Sequence, residues 1–206
     1  MRRANFDVDL PADGRRARSA RSRASVVAAF VDLVGETGRQ PTIEEVAAAA
    51  DVSVRSVYRL FPDTDSLVGA AIAAQTDAIR PLLEVDVSPS APLETRVAEL
   101  VNRRARAYDR VRAIRGVVTG QRNLQPEIAK LLEESRSEMR RQVVELFGKE
   151  LGKRSGAGRN DLVEALEMAT GWSSWDALRQ EQGLSAARAR RVIEATVLSL
   201  LGSRRF

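Results

Sequence analysis

Neither cysteine nor histidine occurs in this chain of 206 residues. The absence of cysteine excludes disulfides and thiolate metal sites, and the absence of histidine removes the commonest general base and the commonest metal ligand. The sequence also lacks a glycine-rich phosphate loop and a nucleophile placed beside a base. We therefore predict that the protein is not an enzyme and that it uses no metal and no cofactor.

Long apolar runs and aromatic residues are also scarce. No uninterrupted apolar segment has membrane-spanning length, and the first residues lack the apolar region of a signal peptide. These features predict a cytoplasmic protein that makes no membrane contact. Aromatic residues form only 4% of a chain that is 44% hydrophobic. The core must therefore be built mainly from Ala, Val, Leu and Ile, as is typical of helical bundles.

Basic residues exceed acidic ones. The chain has 33 Lys and Arg against 28 Asp and Glu, which gives a formal net charge of +5. This balance permits nucleic-acid binding without establishing it. The segment from Arg15 to Arg23 is rich in arginine and contains no acidic residue. It either contacts phosphates or the minor groove of DNA, or forms a solvated helix face.

Residues 42–61 have the pattern of a helix-turn-helix. Thr42 is a suitable N-cap, and Glu45 stands three residues later, where a capping box has its acceptor. Apolar residues then recur at helical spacing from Ile43, which predicts a short first helix. The turn that follows ends at Ser53, a second N-cap.

The second helix of this pattern has one apolar side and one polar side. Val54, Val57 and Phe61 share the inner side, because offsets of three and four lie together on a helix. The residues left to face outward are Arg55, Ser56, Tyr58 and Arg59. A two-turn helix with this outer face suits the major groove of DNA. The alternative is an ordinary helical hairpin with a solvated polar face.

Together these motifs resemble the DNA-binding domain of the TetR family of transcriptional regulators. The resemblance runs from about Arg18 to Ala73 and depends on three segments in order. They are Thr-Ile-x-x-Val-Ala from Thr42, Ala-x-Val-Ser ending at Ser53, and Ser-Val-Tyr-x-x-Phe-Pro from Ser56. A second similarity, from Trp172 to Ser185, resembles the penultimate helix and the following turn of many regulators in that family.

The resemblance implies an all-α fold of about nine helices. We expect an N-terminal three-helix helix-turn-helix DNA-binding domain at residues 15–62. Residues 63–206 would form a C-terminal helical domain for effector binding and dimerisation. The prolines at 81 and 92 predict an irregular connection between them.

The predicted DNA contacts follow from residue type. The fork of Arg55 fits guanine N7 and O6, whereas Ser56 suits phosphates and Arg59 could contact either. Thr42 can bond a phosphate from a helix N-terminus. The resemblance implies a phosphate contact for Tyr58; its alternative is partial burial between helices. The remaining predicted contacts are Arg18, Arg21 and Thr64.

Thr64 departs from the family pattern. A lysine commonly stands near the start of the fourth helix of these regulators and touches DNA. The hydroxyl of Thr64 can still bond a phosphate, but without the charge, so contact with the DNA backbone is expected to be weaker.

Two further sites are predicted in the C-terminal half. The resemblance implies an effector chamber for an unknown small molecule among the middle helices, although arginines there are more often surface residues and tryptophans core residues. The candidate lining residues are Tyr108, Arg112, Arg115, Gln121, Asn123 and Trp172.

The resemblance also implies a four-helix homodimer interface formed by the last two helices. Its candidate residues are Leu162, Leu166, Val192, Ile193, Thr196, Val197, Leu200 and Leu201; the alternative is a final helix buried within the bundle.

These patterns predict a sequence-specific regulator that binds a near-palindromic double-stranded operator as a homodimer. Repression and release by the effector follow from the resemblance. The competing hypothesis is a helical dimeric interaction protein with a degenerate DNA-binding unit. The missing lysine at Thr64 and the acidic residues of the motif motivate that alternative. Against it stand the outward polar face of the second motif helix and the arginine-rich segment.

Overall fold

The computed structural model describes residues 12–119 and 126–202, with the backbone alone at residues 12–15, 117–119 and 127. Every regular element in these ranges is helical, so the all-α prediction is confirmed. The elements number ten α-helices and one π-helical turn, against the nine or so helices expected. They are α1 (Ala12–Thr37), α2 (Ile43–Ala49), α3 (Val54–Leu60), α4 (Thr64–Leu83), α5 (Leu93–Thr119), α6 (Pro126–Leu146), α7 (Gly148–Leu151), α8 (Gly156–Thr170), α9 (Trp172–Asp176), the π-helical turn (Ala177–Glu181) and α10 (Ala186–Gly202).

The chain divides into two units. The first contains the described residues up to Ala74 and those from Ala113 to the end of α5. The second contains Gln75–Arg112 and the described residues after α5. Helices α4 and α5 therefore each contribute residues to both units. The limits expected from the sequence, 15–62 and 63–206, remain a prediction.

Helices α1, α2 and α3 form the core of the first unit. Val26, Phe30 and Val34 are fully buried on α1 at offsets of four, as one face of a helix requires. Val46 of α2 and Val57 of α3 are equally buried. The structure therefore has the inner faces that the apolar spacing predicts, and the polar faces are left outside.

Helices α5 to α10 build the core of the second unit. Its fully buried large side chains are Leu100, Phe147, Leu151, Leu162, Leu166 and Trp175. Aliphatic residues dominate this core, as the shortage of aromatics predicts. Among the described residues, no helix combines the length and apolarity needed to cross a membrane.

Helix α4 continues beyond Pro81, where the sequence analysis expects an irregular connection to begin. It ends at Leu83. A proline removes one backbone donor and crowds the preceding turn, which ends many helices. Leu82 and Leu83 keep their own N–H donors for the preceding turn, so the helix can continue for these two residues beyond Pro81.

A buried ion pair joins α5 to the end of α6 and to α7. Arg96 donates from Nη2 to Oε1 of Glu150 at 2.7 Å and from Nη1 to Oε2 at 3.0 Å. Its Nη1 also bonds the carbonyl oxygen of Leu146 at 2.6 Å, which satisfies a C-terminal acceptor of α6. The guanidinium of Arg96 lowers the pKa of Glu150, so both groups stay charged although both are buried.

Candidate nucleic-acid interface

The N-terminus of α2 is held by the capping box that the sequence predicts. The backbone nitrogen of Glu45 donates to Oγ1 of Thr42 at 3.2 Å, and the backbone nitrogen of Thr42 donates to Oε2 of Glu45 at 2.8 Å. Thr42 is exposed. Because its oxygen accepts within the box, its hydroxyl hydrogen remains suited to donate to a phosphate.

Glu45 also pairs with Arg39. Nη2 of Arg39 lies 2.5 Å from Oε1 of Glu45, and Nη1 donates to Oε2 at 2.9 Å. Hydrogen bonding from Arg39 and from the backbone of Thr42 lowers the pKa of Glu45 to about 2. An acidic side chain of the motif is thus neutralised locally, which reduces its repulsion of a nearby phosphate.

Helix α3 begins at a serine cap and turns its polar side outward. The backbone nitrogen of Ser56 donates to Oγ of Ser53 at 3.2 Å, and the two hydroxyl oxygens lie 2.9 Å apart. Val57 is fully buried on the inner side. Tyr58 is 49% exposed, so the alternative of burial between helices is not what the structure shows.

The outer face of α3 therefore contains two exposed arginines and an exposed phenol. Arg55, Tyr58 and Arg59 all lie on this face. The half-buried Ser56 differs, because its hydroxyl is shared with the cap residue Ser53. A phosphate contact by Ser56 would compete with that bond.

The arginines in the arginine-rich segment of α1 have two different environments. Arg18 and Arg21 are exposed, and among the described residues Arg21 donates within its own helix, from Nε to the carbonyl oxygen of Ala17 at 3.4 Å. Arg23 instead donates from Nη1 to the carbonyl oxygen of Leu60 at 2.8 Å. Its guanidinium carbon lies 4.2 Å from the centre of the Phe61 ring. Arg23 thus holds α3, while Arg18 and Arg21 remain oriented to solvent.

Thr64 is the first residue of α4 and is half-buried. The cap is the residue before it, since Oδ1 of Asp63 accepts from the backbone nitrogen of Ser66 at 2.7 Å. These bonds from Ser66 lower the pKa of Asp63. The carboxylate beside Thr64 is therefore stabilised in its charged form, which disfavours a phosphate at this position.

Two of the predicted effector residues, Tyr108 and Trp172, are in contact with each other. Tyr108 is buried, its hydroxyl bonds the carbonyl oxygen of Thr170 at 3.1 Å, and its ring meets that of Trp172 edge-on at 5.8 Å. It borders a small cavity of about 10 Å³, which suits about one water molecule. Arg112 is exposed and Arg115 half-buried on α5. Gln121 and Asn123 lie outside the described residues.

A larger cleft lies between α4 and α6, at residues the sequence analysis did not select. Its volume is about 340 Å³. The lining residues are Thr76, Arg80, Leu83, Glu84, Leu131, Glu134, Ser135, Glu138 and Gln142. The only available sequence signal was the recurrence of polar residues on one face of α6, which also describes a solvated helix.

Most of the predicted dimer residues lie inside the protomer. Five of the eight are buried and belong to the core of the second unit: Leu162, Leu166, Ile193, Val197 and Leu201. Leu200 is partly buried against the same core. Val192 and Thr196 are exposed on α10, and Met168 of α8, which the sequence analysis did not select, is 71% exposed. An interface on these helices would therefore use Met168, Val192 and Thr196.

Comparisons with known proteins identify the fold. No protein-family model and no curated protein matches this chain. A crystal structure of a TetR-family transcriptional regulator from Streptomyces coelicolor is similar, with a TM-score of 0.69 and 18% identity over 88% of this chain and 80% of that one. A structure from Mesorhizobium loti, also described as a TetR-family transcriptional regulator, gives a TM-score of 0.62 and 19% identity over 89% of this chain and 96% of that one. The chain has the fold of the TetR-family transcriptional regulators.

Proposed function

We propose that this protein is a sequence-specific DNA-binding transcriptional regulator that binds a near-palindromic operator as a homodimer. Its first unit reads DNA, and its second unit dimerises and binds a small-molecule effector. We further propose that it represses transcription and that the effector releases it from DNA. Such a role implies a cytoplasmic location.

The outer face of α3 carries this proposal. Arg55, Tyr58 and Arg59 are exposed there, while Val57 and Phe61 fix the opposite side of the helix in the core. The guanidinium groups of Arg55 and Arg59 lie on a short helix whose inner side is held in the core, and they suit base edges in the major groove. The phenolic hydroxyl of Tyr58 suits the flanking phosphates. The similarity in fold to two proteins described as transcriptional regulators supports the same conclusion.

Charged groups beside α3 can position it on the duplex. Arg18 and Arg21 are exposed, and the exposed hydroxyl of Thr42 stands at the N-terminus of α2, where the helix dipole favours an anion. These groups suit phosphate contacts, which set affinity and register rather than sequence preference. We assign base reading to Arg55, and to Arg59 as a second candidate.

Homodimerisation is required by the proposed mode of reading. A seven-residue helix contacts only a few base pairs, whereas a twofold dimer reads two half-sites about 34 Å apart. Effector control then requires that the ligand bind the released state more tightly than the DNA-bound state.

The test is selection of bound fragments from a random DNA pool at physiological salt. We expect a near-palindrome with two half-sites. Recovery of unselective, salt-sensitive binding, or of no DNA, would favour the competing function, a helical interaction protein with a degenerate reading unit. The acidic Asp63 beside Thr64 is the observation that favours this second candidate.

A further inference from the structure

We propose that the cleft between α4 and α6 binds an amphipathic amine, meaning an apolar body that carries a protonated nitrogen. This inference rests on the proposed function, because it names the chemical class of the effector. The cleft volume of about 340 Å³ lies at the lower end of the range for small-molecule sites.

One stripe of each helix lines the cleft. Thr76, Arg80 and Leu83 recur at helical spacing on α4, and Leu131, Ser135 and Gln142 lie on one face of α6. Leu83 is buried and Leu131 is half-buried, so the cleft has apolar surface to cover the body of a ligand. Burial of that surface would supply most of the affinity.

Gln142 lines the cleft and has a buried acceptor without a donor in the described part of the chain. Its Nε2 donates to the carbonyl oxygen of Leu83 at 3.2 Å, which fixes the direction of the amide. Its Oε1 is buried and has no hydrogen-bond partner among the described residues. A buried acceptor without a donor costs free energy. Because Oε1 is buried, a ligand N–H group would reach it and remove that cost only with a small rotation of the Gln142 side chain.

The charges of the cleft favour the same kind of ligand. Three carboxylates line it, from Glu84, Glu134 and Glu138, against one guanidinium, from Arg80. Arg80 is already paired, because its Nη2 lies 2.8 Å from Oδ1 of Asp77. Anionic ligands would therefore meet mainly carboxylates.

Two of these carboxylates have partners on their own helix. Glu138 accepts from Arg141, and Glu134 lies 3.8 Å from Nζ of Lys130. All of these side chains are well exposed, so they attract a cation weakly. We therefore assign affinity mainly to the apolar surface, and assign the choice between an amine and an acid to the carboxylates.

Three probes with one apolar body and different head groups test the inference: 1-adamantanamine, 1-adamantanol and 1-adamantanecarboxylate. Binding to the full chain is measured by calorimetry without DNA. We expect the amine to bind most tightly and the carboxylate most weakly. Equal or tighter binding of the carboxylate, or no binding of any probe at millimolar concentration, would overturn the inference.

Two pairs of variants locate the site. Replacing Glu134 and Glu138 by Gln should weaken amine binding roughly fivefold and leave the alcohol unchanged, because exposed carboxylates contribute little each. Glu133→Gln is the matched control, since Glu133 is an exposed carboxylate of α6 outside the cleft.

Ser135→Trp should block both the amine and the alcohol, whereas Ser137→Trp, at an exposed position of α6 outside the cleft, should block neither. Amine binding that survives Ser135→Trp, or that Glu133→Gln weakens equally, would place the amine elsewhere and overturn the inference.

The two proposals can fail separately. Operator binding by the ligand-free protein tests the proposed function, and amine binding without DNA tests the cleft. If the protein binds an operator but no amine, the proposed function stands and the cleft proposal fails. If it binds the amine in the cleft but no operator, the cleft proposal stands and the proposed function fails.

Discussion

Arg23 of α1 holds the C-terminal end of α3 through the carbonyl oxygen of Leu60, which accepts from its Nη1 at 2.8 Å. That carbonyl belongs to the last residue of α3, where helical acceptors lack an intrahelical donor. A positive charge is also favoured at this end of a helix. The same guanidinium covers the ring of Phe61 at 4.2 Å. The orientation of the outer face of α3 therefore depends on Arg23, which belongs to the arginine-rich segment for which phosphate contact was one of the two interpretations.

Arg23→Ala should weaken operator binding without changing its salt dependence. Loss of the Leu60 bond and the Phe61 contact should cost about 1 kcal/mol of stability. A phosphate contact would instead reduce the slope of log K against log salt by about one. Arg21→Ala is the comparison, because Arg21 is an exposed residue that we propose as a phosphate contact, so its loss should reduce that slope. A reduced slope for the Arg23 variant would assign Arg23 to the DNA backbone.

Arg55→Ala should cost about 1–3 kcal/mol on the selected operator and relax the preference at one base pair. Arg55→Lys separates charge from geometry, because lysine retains the positive charge but lacks the fork that fits guanine. We expect the lysine variant to lose specific affinity and to retain unselective binding. Both quantities are measured by titration of specific and scrambled duplexes. Equal losses on both duplexes would show that Arg55 contacts phosphates.

Acid should destabilise the first unit through Glu45. Its pKa falls from an ordinary value of 4.5 to about 2 in the folded protein. A depressed pKa contributes stability that is fully present above the ordinary value and is lost as the pH falls toward the folded value. We therefore expect urea stability to decline between about pH 4.5 and pH 2. Glu45→Gln should flatten this decline, and Arg39→Ala should reduce it by raising the pKa of Glu45. An unchanged profile in both variants would contradict the prediction.

Val192→Arg should convert the proposed dimer to monomers in sedimentation. Val192 is 39% exposed on α10, so the charge adds no strain within the protomer but would be buried without a partner at a dimer interface. Met168→Glu on α8 should act in the same way. Substitution of Val197 or Ile193 is a poor test, because both are buried in the protomer core and an arginine there would unfold it. Dimers that persist in both exposed-site variants would place the interface on another surface.

Removal of one partner of the buried ion pair should strongly destabilise the second unit. Arg96→Met leaves the carboxylate of Glu150 buried without its donor, at a cost of about 3–5 kcal/mol. Chemical denaturation measures this loss. Replacement of both residues by apolar ones of similar size should recover most of it, and a double variant as unstable as the single one would contradict this account.

Local signals were predictable because they depend on neighbours in the chain. The capping box at Thr42, the cap at Ser53 and the buried faces around Val57 all involve residues within about one helical turn. Sequence spacing specifies such contacts directly. Helix bounds were less predictable, as the continuation of α4 past Pro81 shows.

The candidate ligand site was not predictable in this way. Tyr108 and Trp172 carry the right chemistry for a pocket, yet they pack in the core of the second unit and against each other. The cleft is bounded instead by Leu83 and Leu131, which belong to helices far apart in the chain. A cleft is a gap between two helices, so the spacing of residues within one helix does not predict it.

Local periodicity and residue chemistry are enough to specify an all-helical chain, a helix-turn-helix with its caps, and an outward face of arginines and a tyrosine. Long-range packing, by contrast, sets Arg23 against α3 and leaves Arg21 exposed, since the two differ in what lies across from them. It also decided that Val197 is a core residue and Val192 a surface residue. Both are apolar residues of one helix, and their roles are separated by the long-range packing that covers one side of α10 and leaves the other open.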